Sequence, residues 1–372
     1  MKKKYTILAL LFAVFMTAQI PTGYYDSATG SGYTLKTQLK QIIDDVNDGL
    51  ATEYISTDPG YGGLYVTYTT SDIDLYYENN GTMLDMYTEN PTGPDNCEYT
   101  YGINQDDGSG GTAECQKYNR EHIIPQSVFS SATPMYSDAH FVVPSDKYVN
   151  AQRGNLPFGV VNTANYTSTN GSKRGNNLNS GYSAGYTNTV FEPIDEFKGD
   201  IARMYFYFIT RYEDNVASWT YDMFNGTSNQ ALDNTFLNIL ITWHLQDPVS
   251  QREVDRNNAI FNRQDNRNPF IDHPEFVCQI YTAQCAALST DSFALDTISV
   301  YPNPSLNGTF SINSPVDLSK ISVLNVNGQL VKEYNNPSKV NNEYEVSDLS
   351  SGFYFIQLES GTTKEIKKVI VN

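Results

Sequence analysis

The chain has 372 residues, of which 40% are apolar, and its formal net charge is −18. The apolar share supports a packed core and excludes wholesale disorder, and the length suits two or three domains. The acidic balance argues against a general affinity for nucleic acid, because proteins that bind polyanions carry a basic footprint. The charge is uneven, however: between Lys117 and Arg174 there are six basic residues and only three acidic ones.

The amino terminus has the pattern of a signal peptide. Three lysines at positions 2–4 precede an apolar run at positions 7–16, and Ala18 is a small residue at the place where cleavage is expected. We therefore predict a signal peptide over residues 1–18 and export of the protein. The apolar run is too short to span a membrane comfortably, and we predict no membrane span later in the chain.

The four cysteines of an exported chain suggest two disulfides. Proximity in the sequence favours pairing Cys97 with Cys115 and Cys278 with Cys285, although three connectivities are open. A zinc site built from the same cysteines is less favoured, because their spacing contains no CxxC pair.

Helical and extended patterns follow one another in the first part of the chain. Residues 34–46 place apolar side chains at helical spacing, and Gly49 follows as a stop signal, so we predict a helix there. Residues 61–87 alternate between apolar and polar positions around the turn residues Asn79, Asn80 and Gly81, which predicts short strands or a hairpin. Residues 90–114 are predicted to form a loop.

A second loop is predicted over residues 160–189, which are rich in Asn, Gly, Ser and Tyr. Three amphipathic helices are then predicted over residues 199–215, 229–246 and 250–263, and together they indicate a packed helical layer. The last of them opens with Ser250 three residues before Glu253, the spacing of a capping box. From residue 293 to the end, β-type alternation between turn signals predicts a small β-sandwich without a convergent cluster of titratable residues.

The stretch 118–159 contains the groups that carry chemistry. Glu121 and His122 place a carboxylate beside a base that is neutral near neutral pH. Neighbouring side chains of a strand point to opposite faces, so the pair can reach one cavity only from a strand end or a loop. The following Ile123-Ile124-Pro125 is consistent with a strand end or loop.

A second strand and a helix are predicted directly downstream. Residues 141–144 form a short apolar run that ends at a proline, and Ser145 is a plausible helix N-cap. On the helix that follows, Asn150 and Arg153 lie three residues apart and therefore share a face. An amide oxygen is a hard metal ligand and a guanidinium suits a phosphate, which are the needs of metal-assisted phosphodiester hydrolysis.

Three ordered motifs resemble the bacterial endonuclease I family, whose nucleases carry a ββα-metal (His-Me finger) site. They are residues 119–125 (NREHIIP), residues 137–159 (SDAHFVVPSDKYVNAQRGNLPFG) and residues 243–272, and the resemblance spans about residues 54–277. The C-terminal segment is similar to the sorting domain of the type IX secretion system, through residues 300–304 (VYPNP), 323–328 (VLNVNG) and 349–354 (LSSGFY).

The resemblance implies roles for individual residues. Glu121 and Asn150 would be ligands of Mg²⁺, with Mn²⁺ or Ca²⁺ as possible substitutes, and His122 would be the general base. Arg153 is a further catalytic candidate, either as a phosphate contact or as a group that shapes the site. On the substrate side the candidates are Arg120, Asn155 and His140, and for His140 a packing or supporting role is favoured over metal ligation. The sequence departs from the family at Phe141, where a second histidine is common.

The resulting expectation is an α+β protein: a mixed nuclease domain built around the ββα-metal motif with a helical layer, followed by a small β-sandwich. The predicted divisions are a signal peptide at 1–18, the nuclease domain at 19–287 and the sorting domain at 288–372. We expect a secreted or surface-attached, monomeric, Mg²⁺-dependent endonuclease that cuts DNA without sequence preference by a one-metal mechanism and leaves 5′-phosphates, with RNA as a substrate left open. The type IX machinery would be its export partner. The alternative is a catalytically inactive surface binding or adhesion protein on a nuclease fold; a metallopeptidase is disfavoured because no HExxH spacing is present.

Overall fold

The structure, a computed structural model, describes residues 20–288, 298–339, 342–360 and 363–372. Two hydrophobic cores organise these residues, one formed within residues 24–288 and the other within residues 298–371. The predicted signal peptide lies outside the described residues. Within the described ranges, no helix is both long enough and apolar enough to cross a membrane.

The first core is surrounded by helices, with strands at its edge. The helices are α1 (Gly32–Ile43), α2 (Gly63–Ser71), α3 (Lys147–Arg153), α4 (Lys198–Arg211), α5 (Glu213–Val216), α6 (Asn234–Gln246), α7 (Gln251–Gln264), α8 (Pro269–Asp272) and α9 (Phe276–Ile280). The strands are β1 (Tyr118–His122), β2 (Val142–Asp146), β3 (Val161–Thr167), β4 (Lys173–Asn177) and β5 (Thr189–Glu192). Strands β1 and β2 form one antiparallel pair, and β3, β4 and β5 form a three-stranded antiparallel sheet.

Helix α4 lies at the centre of the first core. Every residue of this helix after Lys198 is buried, and its neighbours include α6, α1 and α8. The predicted helical layer is therefore confirmed, although α4 and α6 are shorter than expected. Helix α6 begins only at Asn234, because the side chain of Asp233 caps it, and α7 begins with the predicted capping box between Ser250 and Glu253. Helix α1 ends at Ile43, well before the predicted stop at Gly49.

The prediction of strands over residues 61–87 was wrong in its first half, where α2 forms. The apolar alternation suggested a period of two, but the buried side chains of α2 include Leu64, Tyr65 and Tyr68, while Val66 is 45% exposed. That is helical spacing, and packing of α2 against α7 outweighs the strand preference of its aromatic and β-branched residues. The second half does turn back on itself through a single antiparallel bridge between Ile73 and Met83.

The predicted loop over residues 160–189 was also wrong, because it contains β3 and β4 and reaches β5. Most β3 side chains are exposed, so the sheet has no apolar alternation that could have indicated it. Its strands approach each other closely at Gly175, where a Cβ atom would lie 2.1 Å from the carbonyl oxygen of Thr163. Only glycine fits that position.

The second core confirms the predicted sandwich. A three-stranded sheet in the order β10-β7-β6 and a four-stranded sheet in the order β12-β11-β8-β9 both contribute to it. Their strands are β6 (Ser299–Tyr301), β7 (Phe310–Asn313), β8 (Lys320–Asn325), β9 (Leu330–Asn335), β10 (Glu343–Val346), β11 (Gly352–Ser360) and β12 (Thr363–Val371). The favoured disulfides, Cys97–Cys115 and Cys278–Cys285, are both present.

Candidate active site

Two antiparallel strands and the helix that follows them bring the motif residues together. Strand β1 pairs with β2 so that Glu121 lies opposite Val143 and His122 lies opposite Val142. Glu121 and His122 are the last two residues of β1, which is the strand-end position that the sequence analysis required. Helix α3 begins immediately after β2 and packs against both strands.

The N-cap of α3 is Asp146, one residue after the predicted Ser145. Its carboxylate accepts hydrogen bonds from the backbone N–H groups of Tyr148 at 2.7 Å and Val149 at 2.8 Å. Strand β2 does not end at Pro144 as expected but continues to Asp146 and includes Ser145. A proline is tolerated there because β2 belongs to a two-stranded sheet, in which each strand has one unpaired edge.

Glu121 is held in place from two directions. Its side chain is almost fully buried, and Oε1 accepts a hydrogen bond from the Tyr87 hydroxyl at 2.9 Å and lies 3.2 Å from the Arg153 guanidinium. Burial raises the pKa of the Glu121 carboxyl to about 7, against the opposing effects of Arg153 and Tyr87. Both contacts use Oε1, so Oε2 is the oxygen that remains for another partner.

His122 lies with its ring against aromatic side chains. The imidazole stacks on Tyr136 with centroids 5.4 Å apart, and Tyr61 lies beyond at 6.0 Å. Its Nε2 is 3.1 Å from the backbone carbonyl oxygen of Tyr136. A carbonyl oxygen can only accept, so Nε2 carries the hydrogen and Nδ1 keeps its lone pair. Burial lowers the pKa of His122 to about 4, so the ring is neutral at neutral pH.

Asn150 points its amide nitrogen at β1. Nδ2 donates to Oδ1 of Asn119 at 2.9 Å and lies 3.5 Å from the backbone carbonyl oxygen of Arg120. Because that carbonyl can only accept, the nitrogen is on its side and Oδ1 of Asn150 faces away, without a hydrogen bond from the described residues. Oε2 of Glu121 and Oδ1 of Asn150 are thus hard oxygens without a hydrogen-bond partner in the described part of the chain, and such donors fit a hard divalent cation.

Arg153 does not face solvent. Its guanidinium is 1% exposed and donates to the backbone carbonyl oxygens of His122 at 2.9 Å and Ile123 at 2.5 Å, besides its ion pair with Glu121. Of the two roles expected for Arg153, the geometry therefore favours shaping of the site over contact with a phosphate. These contacts join α3 to the end of β1.

The three substrate-side candidates differ in exposure. Arg120 is half-buried, with its guanidinium 3.4 Å from the ring centroid of Tyr61 and one nitrogen bonded to the Tyr61 carbonyl oxygen at 2.8 Å. Asn155 is exposed and lines a cleft of about 490 Å³ together with Tyr186 and Tyr221. His140, by contrast, is fully enclosed.

His140 has a packing position. It is 1% exposed, its Nε2 lies 3.1 Å from the carbonyl oxygen of Asn266, and its ring lies 4.6 Å from that of Tyr207. No nucleic acid could reach it without rearrangement of the core.

The sequence analysis did not foresee Tyr87 and Tyr136, which hold Glu121 and His122 respectively. Both are tyrosines among 28, and no local pattern distinguishes them.

Comparison with known proteins places these residues in a family. The sequence matches the family described as Endonuclease I over residues 31–275 and the secretion system C-terminal sorting domain over residues 299–372. It is 32% identical to an extracellular ribonuclease of Bacillus amyloliquefaciens and 33% identical to one of Bacillus subtilis (strain 168), each over 263 residues. These alignments cover 69% of this chain and 78% of each relative. The chain belongs to the endonuclease I family and is a nuclease, secreted or held at the cell surface, with a C-terminal secretion sorting domain.

Proposed function

We propose that the protein is a Mg²⁺-dependent endonuclease that cleaves DNA and RNA without sequence preference and leaves 5′-phosphate ends. The observation that carries this proposal is the hydrogen bond of His122: Nε2 lies 3.1 Å from the Tyr136 carbonyl oxygen, which leaves Nδ1 to act as a base, and burial, which lowers the pKa of the ring, favours its neutral form. It adjoins Glu121, whose Oε2 has no hydrogen bond from the residues that the structure describes, at the end of the same strand. A base beside a hard-oxygen site is what phosphodiester hydrolysis requires.

The residues of the chain have distinct parts in this reaction. Nδ1 of His122 accepts a proton from the attacking water. Arg120 is the half-buried cation that contacts the phosphate, and its stacking on Tyr61 limits its motion. Glu121 and Asn150 are the residues that would hold Mg²⁺, which when bound would offset negative charge on the phosphate and on the leaving 3′-oxygen. Arg153 holds the backbone of His122 and the carboxylate of Glu121 in fixed positions relative to each other.

The proposed contacts explain why the enzyme would cleave without preference for the base sequence or for the sugar. Arg120 and the metal ligands address the phosphate, and phosphate contacts carry no sequence information. The two Bacillus relatives are named as ribonucleases, which supports RNA as a substrate beside DNA. Cleavage of one nucleic acid and not the other would contradict this part of the proposal, because it would require a contact that distinguishes the sugars.

The decisive experiment is a cleavage assay with matched variants. Plasmid DNA and a structured RNA are incubated with the wild type, with His122→Ala and with Arg263→Ala, in Mg²⁺ and in EDTA. Arg263 is exposed and serves as the surface control. We expect cleavage by the wild type and Arg263→Ala in Mg²⁺ only, and a loss of several orders of magnitude in His122→Ala with an unchanged circular dichroism spectrum. Near-normal cleavage by His122→Ala would refute the assignment of the base, and no cleavage by the wild type would favour the inactive binding protein.

The proposed function includes processing of the chain at both ends during export. We infer that the mature enzyme is a monomer that begins after residue 18, and that the sorting domain from residue 288 onward is removed during type IX secretion. Mass spectrometry of the secreted protein gives both ends directly. Light scattering gives the oligomeric state, and a stable dimer would contradict this part.

A further inference from the structure

A second group of carboxylates lies apart from Glu121 and Asn150. One oxygen each from Asp74, Glu78 and Glu89 lies within 4.8 Å of the other two. Asp74 and Glu89 are 0% exposed and Glu78 is half-buried. Within the part of the chain that the structure describes, none of the three forms an ion pair with a lysine or an arginine, so three negative charges meet without a compensating side chain.

Glu89 is the member of this group that most needs a ligand. Both of its carboxylate oxygens are buried and receive no hydrogen bond from an N–H or hydroxyl group of the described residues, and Oε2 of Glu78 is in the same condition. Its neighbours are other carboxyls, those of Asp74, Glu78 and Asp95, and it shares a side-chain hydrogen bond with Asp95. Carboxyls enclosed together in this way need a proton or a cation between them, because burial of like charges without compensation is unfavourable.

The loops around the group hold it in shape. Oδ1 of Asp74 accepts hydrogen bonds from the backbone N–H groups of Tyr76 at 3.1 Å and Tyr77 at 3.0 Å, and Oδ2 accepts from that of Glu78 at 3.1 Å. On the other side, the side chain of Asn170 donates to the carbonyl oxygen of Glu89 at 3.0 Å. The three carboxylates are therefore brought together by fixed backbone and not by mobile surface side chains.

We propose that Asp74, Glu78 and Glu89 form a Ca²⁺ site, with Asp95 at its edge, that is separate from the catalytic cation site. Ca²⁺ binds oxygens at about 2.4 Å, so two ligands on opposite sides of the ion lie at most about 5 Å apart, which the observed spacing satisfies. Three carboxylates suit its large and flexible coordination shell. Mg²⁺ fits less well, because it retains most of its own water and demands strict octahedral geometry.

The position of the site gives the bound ion a structural role. Glu89 ends the turn 85–89, which also contains Asp85 and Tyr87. The Tyr87 hydroxyl holds Glu121 at 2.9 Å, and the Asp85 carboxylate accepts a hydrogen bond from the backbone N–H of Asp146, the N-cap of α3, at 2.9 Å. A cation bound to Glu89 thus anchors the turn that supports both the catalytic carboxylate and the helix with Asn150.

Thermal unfolding tests the proposal without reference to activity. The melting temperature is measured in EGTA, in Ca²⁺ and in Mg²⁺ for the wild type, Glu89→Gln, Asp74→Asn and the exposed control Asp45→Asn. A ligand at about 100 times its dissociation constant should raise the melting temperature of a domain of this size by about 5–10 °C. We expect that rise with Ca²⁺ in the wild type and Asp45→Asn and a smaller one with Mg²⁺, whereas in Glu89→Gln or Asp74→Asn the rise with Ca²⁺ should fall to no more than the one that Mg²⁺ gives.

Three results would overturn the inference. They are no rise with Ca²⁺ in the wild type, which would mean that a shared proton alone neutralises the group; an equal rise with Mg²⁺ in Glu121→Gln, which lacks a ligand of the catalytic cation; or an undiminished Ca²⁺ rise in Glu89→Gln. Glu121→Gln removes a ligand of the catalytic cation, and the rise in melting temperature with Ca²⁺ should persist in this variant. Loss of the rise there would likewise count against a second site.

A second measurement covers the case in which Glu89→Gln does not fold. Tb³⁺ often replaces Ca²⁺, and its emission is sensitised by nearby tyrosines, here Tyr76 and Tyr77. In a Glu121→Gln, Asn150→Ala double variant we expect sensitised emission that Ca²⁺ displaces with one-to-one stoichiometry. Absence of that emission, or its displacement by Mg²⁺ at equal concentration, would refute the assignment.

Discussion

The buried guanidinium of Arg153 lies 3.2 Å from the carboxylate of Glu121 and joins the last turn of α3 to the end of β1. The same guanidinium bonds the backbone carbonyl oxygen of His122, so one side chain positions both halves of the Glu121-His122 pair. Both partners of the ion pair are almost completely buried, at 1% and 3% side-chain exposure. Removal of one partner would leave the other charge in the core without compensation, which is far more costly than the loss of a surface ion pair.

Substitution of Arg153 should therefore reduce stability before it affects substrate binding. We expect Arg153→Ala to lower the free energy of unfolding by about 3–5 kcal/mol in urea denaturation. Arg153→Lys should lie between this variant and the wild type, because an ammonium keeps the charge but lacks the planar fork of donors that reaches Glu121 and both carbonyl oxygens. Arg263→Ala, at an exposed position, should change stability by less than about 0.5 kcal/mol. If Arg153→Ala is as stable as the wild type and only its KM is raised, the result would instead support a direct phosphate contact.

The hydrogen bond between His122 and the Tyr136 carbonyl makes a distinct prediction for two substitutions. Glutamine can place an amide N–H near the position of Nε2 and keep the bond, whereas alanine leaves the carbonyl without its donor. Neither has a base, so both variants should lose cleavage by orders of magnitude. We expect His122→Gln to be more stable than His122→Ala by about 1 kcal/mol.

Added imidazole gives the complementary measurement, because it can enter the space left in His122→Ala and restore a base. Partial rescue in the alanine variant and none in the glutamine variant would agree with proton transfer by His122. Equal stability of the two variants would argue that the bond to Tyr136 does not orient the ring.

The pH dependence should reveal competition between protons and Mg²⁺ for Glu121. Burial raises the pKa of this carboxyl to about 7, and a carboxyl must lose its proton to hold a cation. As the pH falls below that value, the protonated form predominates, and the Mg²⁺ concentration for half-maximal activity should rise, by up to about tenfold per pH unit. Saturating Mg²⁺ should therefore move the acid limb of the pH–rate profile to lower pH.

His122 sets the limit of that shift. Its pKa is lowered to about 4 by burial, so the base remains deprotonated well below the usual range of a histidine. Once Mg²⁺ saturates the site, activity should persist below pH 6. An acid limb near pH 6.5 at every Mg²⁺ concentration would contradict both assignments, because it is the behaviour of an exposed histidine and a cation site that protons do not reach.

The capping residue Asp146 should connect helix stability to metal affinity. Its carboxylate bonds two N–H groups of α3 and also the backbone N–H of Cys115, so Asp146→Ala should cost at least about 1–2 kcal/mol and shift Asn150. We expect a higher Mg²⁺ requirement in addition to the lower stability. Asp233→Ala removes the cap of α6 and is the matched control: it should cost stability without changing the Mg²⁺ requirement. An identical Mg²⁺ response in the two variants would show that the cap does not position Asn150.

Several features of the fold could be predicted because their causes are local. The amphipathic spacing of α4, the capping box of α7 and the pairing of cysteines close in sequence depend on residues within a few turns of one another. Helix α2 and the sheet β3–β5 were missed for the opposite reason. The first forms because a surface of α7 covers its apolar side, and the second is held by backbone hydrogen bonds that leave no trace in the side-chain pattern.

For the site, the sequence by itself determined which chemical groups are present and in which order: a carboxylate next to an imidazole, then an amide on a helix. Only the tertiary structure decided what each group can do. The Tyr136 carbonyl selects the nitrogen of His122 that is left as base, Tyr87 and Arg153 occupy one oxygen of Glu121, and the core encloses Arg153 and His140. Protonation state, tautomer and access depend on desolvation and on partners distant in the chain, and those arise only when the chain has packed.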